Sequence, residues 1–147
     1  MKNFFKLGTL ALVLVLVAGC GGAKGKTLTC TKSEDETGMK TSQTLKVVFK
    51  DDKASKINMD MKMDIDEQYA SYISTIKSMI DSQFESYKSK DGIKFDSKTS
   101  KNTVSVSLEV NLAKFSKDDL AALDLDGSEG TYEEAKKAFE EEGYTCK

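Results

Sequence analysis

From Ile57 to Ile65 the chain alternates without a break. Ile57, Met59, Met61, Met63 and Ile65 fall on one side, and Asn58, Asp60, Lys62 and Asp64 on the other. Successive side chains of a strand point to opposite faces, so this period of two predicts a β-strand that is dry on one face and wet on the other. A dry face has to be covered by a second layer. The cover follows directly, because the period changes at Asp66. With Asp66 as N-cap, Tyr69, Tyr72, Ile73, Ile76, Ile80, Phe84 and Tyr87 fall three and four apart, which predicts a helix of about 22 residues with one apolar stripe. Lys90-Asp91-Gly92 stops it, with Gly92 suited to a left-handed cap.

The same alternation organises the rest. Thr27 to Lys32 reads as a first strand with Leu28 and Cys30 inward, and Ser33 to Gly38 as a polar turn. Met39 to Lys50 is a second strand with Leu45, Val47 and Phe49 inward, and Asp51-Asp52-Lys53 turns the chain into the third, Ala54 to Ile65. Short links between consecutive strands describe an antiparallel meander. Beyond the helix, Ile93 to Lys98 and Thr103 to Ala113 form a hairpin, the latter alternating Val104, Val106, Leu108, Val110 and Leu112 with Ser105, Ser107, Glu109 and Asn111. Antiparallel sheets tolerate one wet face. Ser116 to Leu123 suggests a short helix and Leu125 to Gly130 a loop. Thr131 and Glu134 have the spacing of a capping box, opening a helix that runs to about Glu142 and ends at Gly143. Tyr144 to Cys146 is extended in character and fits beside the first strand. The expected fold is a single α+β domain: an antiparallel sheet of about five strands, covered by one long helix and a C-terminal helix.

The N-terminus carries a different message. Lys2 and Lys6 make a positive head, Leu7 to Val17 an apolar run, and Val17-Ala18-Gly19 a small-residue ending before Cys20. That is the layout of a secretory signal peptide. Its run is well short of the ~20 apolar residues that span a bilayer. Val17 to Cys20 resembles the lipobox of bacterial lipoproteins, which implies cleavage between Gly19 and Cys20 and diacylglycerol on the Cys20 sulfur. An ordinary signal peptide with an incidental cysteine is the plainer alternative. Residues 1–19 are thus read as signal peptide, 20–26 as anchor and Gly-rich tether, and 27–147 as an extracytoplasmic domain held at the membrane. The six residues after Cys20 reach at most about 20 Å.

Composition excludes more than it selects. The chain has 22 basic residues, all of them Lys, and no His. Without Arg there is no guanidinium fork for phosphate, and removing residues 1–19 leaves 20 Lys against 24 acidic residues, so nucleic acid is not an expected partner. Without His, Ser-His-Asp and Cys-His nucleophiles are ruled out. Of the three cysteines, Cys20 is the anchor. Cys30 and Cys146 remain, and outside the cytosol two such cysteines are a disulfide candidate. Two independent thiols, or a zinc site, are the alternatives.

Four features could carry chemistry, and each has a plainer explanation. Met59, Met61 and Met63 could ligate a soft metal, but at strand spacing they also fill a core. Asp124 to Glu129 hints at a calcium loop and departs from the EF-hand pattern, whereas a turn also explains Asp and Gly there. Asp60 and Asp64 could act as an acid–base pair on a sugar, against the commoner reading of interleaved surface charge. The wet sheet face, with Ser105, Ser107, Glu109 and Asn111, could be a recognition surface. No catalytic, metal or cofactor residue is assigned.

The lipobox, LTCTK at Leu28 to Lys32, the strand-rich middle and GYTCK at Gly143 to Lys147 together resemble the YehR-type bacterial lipoproteins. The resemblance implies an α+β domain with an antiparallel sheet, Cys20 as lipid site and Cys30 with Cys146 as a pair; it supplies no catalytic residues. The expected function is a non-catalytic binding module at the cell surface, with an envelope protein, peptide or glycan as partner. A small hydrolase using carboxylates, or an enzyme inhibitor, are the other classes. A two-lobed solute receptor is excluded by length.

Overall fold

The computed structural model describes residues 25–116, 118 and 130–147. The signal segment, Cys20, the helix expected at Ser116 to Leu123 and the Asp124 to Glu129 loop lie wholly or largely outside the described residues. Six strands form one antiparallel sheet: β1 Lys26–Glu36, β2 Met39–Lys50, β3 Lys53–Ile65, β4 Ile93–Ser100, β5 Thr103–Asn111 and β6 Thr145–Cys146. Their order is β4-β5-β3-β2-β1-β6. Among the described residues, the α-helices α1 Ile73–Lys88 and α2 Tyr132–Glu141 cover one face.

The differences from expectation have local causes. The first strand does not stop at Lys32, because Ser33 to Glu36 stay paired with Met39 to Ser42 and Asp35 lies opposite Lys40. Opposite charges across a strand pair favour that extension. Asp66 is no side-chain cap, and the 22-residue helix is divided. Glu67–Tyr72 winds as a 3₁₀ helix before α1 begins at Ile73. The Asp66 amide donates to the Gly38 carbonyl, and the Tyr69 ring lies so close over Gly38, at φ 87°, that a Cβ there would collide with it. Docking on the β1–β2 turn thus sets the path of this entry turn. Thr103 to Ala113 is shortened to Asn111, whose side chain accepts from the Ala113 amide and closes a 3₁₀ turn at Leu112–Lys114. Asp51 and Asp52, both at positive φ, form the two-residue β2–β3 turn.

The core divides in two. Around α2, Leu28, Cys30, Leu45, Val47, Phe49, Ile57 and Met59 pack with Ala135 and Phe139. Around α1, Met63, Ile65, Val104 and Val106 pack with Ile73 and Ile80. Met59 and Met63 are buried, one in each cluster, as core filling requires. Met61 stands between them, half-buried, and its sulfur accepts from Gln43 Nε2 at 3.7 Å; Gln43 Oε1 in turn accepts from Tyr144 Oη at 2.6 Å. The capping box of α2 is present: the Glu134 amide donates to Thr131 Oγ1 at 3.3 Å and the Thr131 amide to Glu134 Oε2 at 3.0 Å.

The sixth strand is two residues long, far below what a free strand could hold. Thr29 and Lys147 exchange both backbone hydrogen bonds at 2.9 Å. Cys30 and Cys146 are therefore a non-hydrogen-bonded pair, the closer of the two antiparallel spacings. Their Cα atoms are 4.1 Å apart and a disulfide joins them across 116 positions. Replacing both by Ser is expected to cost roughly 4–5 kcal/mol on the chain-entropy account of so long a loop. Guanidinium unfolding, with amide exchange at Thr29 and Lys147, measures the loss; exchange there should rise first.

Candidate functional site

Both helices lie on one side of the sheet, and no described element covers the other. On this open side the strand register assembles rows that run across four strands. One row is Thr44, Asp60, Ser107 and Asp96; the next is Ser42, Lys62, Ser105 and Lys98. Each row repeats hydroxyl, charge, hydroxyl, charge, and the sign inverts between the rows. Two residues of strand rise, about 6.6–6.8 Å, separate them. These eight side chains line a shallow cleft of about 350 Å³.

The surrounding charges hold one another. Glu109 bridges Lys56 at 2.8 Å and Lys94 at 3.0 Å, and these contacts keep its carboxyl below the usual range. Asp64 accepts from Thr103 Oγ1 at 2.7 Å and from Lys62 at 2.9 Å; the Thr103 bond first, then Lys62, lowers its pKa. Asp96 pairs with Lys98 at 2.6 Å. Among the described residues no hydrogen bond or ion pair is made to the Asp60 side chain, which is exposed at the centre of the first row. No aromatic side chain stands in either row.

Of the residues read as candidates from sequence, Asp60, Ser105 and Ser107 come together in the cleft. Asp64 sits beyond Lys62 at its rim, and Glu109 and Asn111 lie toward the other end of the sheet. Ser42, Thr44, Asp96 and Lys98 went unremarked, because only the pairing of β2 and β4 with their neighbours brings them here. Asp60 and Asp64 are four residues apart on one strand, about 13 Å along it. That exceeds the roughly 5–9.5 Å between the carboxyl groups of either glycosidase geometry. Among the described residues there is no group of three or more His, Cys, Asp or Glu placed to hold a metal. No helix among them is long and apolar enough to cross a membrane.

No protein-family model and no curated protein matches the sequence. Two solved structures share its fold. A protein from Streptococcus pneumoniae TIGR4, determined by NMR, has a TM-score of 0.52 at 14% identity, with 95% of this chain and 94% of that one covered. The NMR structure of the E. coli YehR protein has a TM-score of 0.54 at 16% identity, with 84% and 93% covered. At these identities the likeness is one of fold.

On the helix side, Asp81 is held below its usual pKa first by Lys77, at 2.6 Å, and then by the Ser97 hydroxyl, which donates to it. A carboxylate whose pKa is lower folded than unfolded stabilises above its unfolded value, about 3.9, and loses that contribution as pH falls through the folded one. Stability is therefore expected to fall on acidification below about pH 4. Asp81→Asn should lower stability at pH 7 by about 0.5–1 kcal/mol, after solvent screening, and flatten the acid limb. Thermal unfolding at pH 7 and pH 3, followed by circular dichroism, measures both.

Proposed function

We propose that this protein is an exported lipoprotein of the YehR-like kind, fastened to the membrane through diacylglycerol on Cys20. The open face of its sheet binds another envelope component, a protein, peptide or glycan, and catalyses nothing on it. The observation that carries the reading is the cleft of alternating hydroxyls and charges on a sheet face that no described element covers. It offers hydrogen bonds and paired charges, with no ring surface for stacking. The fold shared with YehR and with the pneumococcal protein supports the family, and the lipobox spacing supports the anchor.

An Asp60–Asp64 hydrolase has less support. The two carboxylates are too far apart, and Asp64 is held ionised, which suits it poorly to donate a proton.

Two measurements test the proposal. Mass spectrometry of protein extracted from native membranes should show residues 1–19 removed and acyl groups on Cys20; an intact leader or a free thiol overturns the anchor. Ser107→Arg fills the centre of the cleft from an exposed position and should reduce recovery of the bound envelope component at least about tenfold, since disruption of a central contact costs most of a small interface. Unchanged recovery places binding elsewhere.

A further inference from the structure

The cleft on the open face has a direction. In both of its rows the charged side chains stand on β3 and β4, and β5 between them contributes the short hydroxyls of Ser105 and Ser107. The face is therefore furrowed along β5. Asp60 and Lys62 form one wall, Asp96 and Lys98 the other, and the two serines the floor. The walls are two strand spacings apart, about 9.4–9.8 Å. At the Ser107 level two carboxylates face each other across the furrow, and at the Ser105 level two lysines do. Past Ser107 the floor residue is Glu109. Its bridges to Lys56 at 2.8 Å and Lys94 at 3.0 Å tie both walls together and close that end. Past Ser105 it is Thr103, bonded to Asp64, and the furrow runs out toward the β4–β5 turn.

We propose that the furrow holds an extended polypeptide segment of the partner, laid along β5. A basic side chain of the segment sits between Asp60 and Asp96, and an acidic one, two residues away, between Lys62 and Lys98. The inference rests on the reading of the open face as the binding surface and narrows the partner to a polypeptide. The match is one of period and of sign. Alternate side chains of an extended chain leave on the same side, about 6.6–6.8 Å apart, and the rows of the sheet are separated by the same two-residue rise. A strand-like ligand therefore stays in step with the sheet, and the inversion of its charge meets the inversion between the rows. Charges on adjacent residues leave on opposite sides and do not fit. A lysine ammonium only donates and an ionised carboxylate only accepts, whereas a hydroxyl does both. Ser107 thus serves the first and Ser105 the second. A third position, two residues further on, lies over Thr103 beside Asp64 and takes a basic residue again.

The charges of the walls are accessible to such a ligand. Among the described residues the Asp60 side chain has no partner. Lys62 is paired with Asp64 at 2.9 Å and Asp96 with Lys98 at 2.6 Å, each an exposed pair within one strand. Pairs of this kind contribute little, so a ligand that offers each charge a new partner exchanges them at small cost. A neutral glycan would bring neither the two-residue period nor the alternating charge.

Immobilised peptides test the inference on the full-length protein solubilised in mild detergent. Two of them have the same composition, blocked ends and threonine at every uncharged position. One carries lysine, glutamate and lysine at alternate positions; the other carries the same three residues consecutively. The alternating peptide should retain the protein at least about fivefold better, and its advantage should fade at high salt, which screens exposed charges. Asp60→Lys combined with Asp96→Lys should abolish the advantage, because two lysines then face the lysine of the peptide. The same variant should gain retention on a peptide with glutamate at all three alternating positions, which also reports that it is folded. Equal retention of the first two peptides by wild type, an advantage that survives in the double variant, or a double variant that does not gain the acidic peptide overturns the inference. The Ser107→Arg recovery described above separates the two levels. Lost recovery with equal peptide retention leaves the open face as the binding surface and removes its polypeptide ligand; unchanged recovery removes both.

Discussion

Covering one face of a twisted six-stranded sheet takes more than one helix, and the described part of this chain has two long ones. Each takes a different end. The C-terminal helix sits over β1 and β2, and α1 over β3, β5 and β4. The apolar residues of β3 are shared out accordingly, Ile57 and Met59 to one cluster and Met63 and Ile65 to the other. The boundary falls at Met61, and there the layer turns polar: Tyr144, Gln43 and the Met61 sulfur form a short hydrogen-bonded chain between the clusters. A methionine suits that place, because its thioether can both pack and accept a weak bond.

The division also explains why the crosslink stands where it does. The C-terminal helix is tied in by its capping box, by Phe49 against Tyr132 and by Phe139 against Tyr144, and its strand has two residues. Without a covalent tie, the end of the chain would fray, as termini do. Cys30 is buried in the same cluster as Phe139, so the disulfide holds helix, strand and core together. The opposite edge has no such tie, and its strand carries its charges on the open face alone.

Much of this was legible in the residues. Period two in β3 and β5, period three-and-four in α1 and the Thr131–Glu134 spacing each report a face or a cap directly, and each is found. The failures were at ends. Helix periodicity in Tyr69 and Tyr72 could not show that Tyr69 is drawn onto Gly38, 31 positions away, and polar residues at Ser33 to Glu36 read as a turn until their partners across the hairpin were known. The cleft failed for the same reason. Thr44, Asp96 and Lys98 are ordinary surface residues within their own strands, and only cross-strand register makes a row of them. Sequence periodicity shows which face a residue is on; it does not show its neighbours.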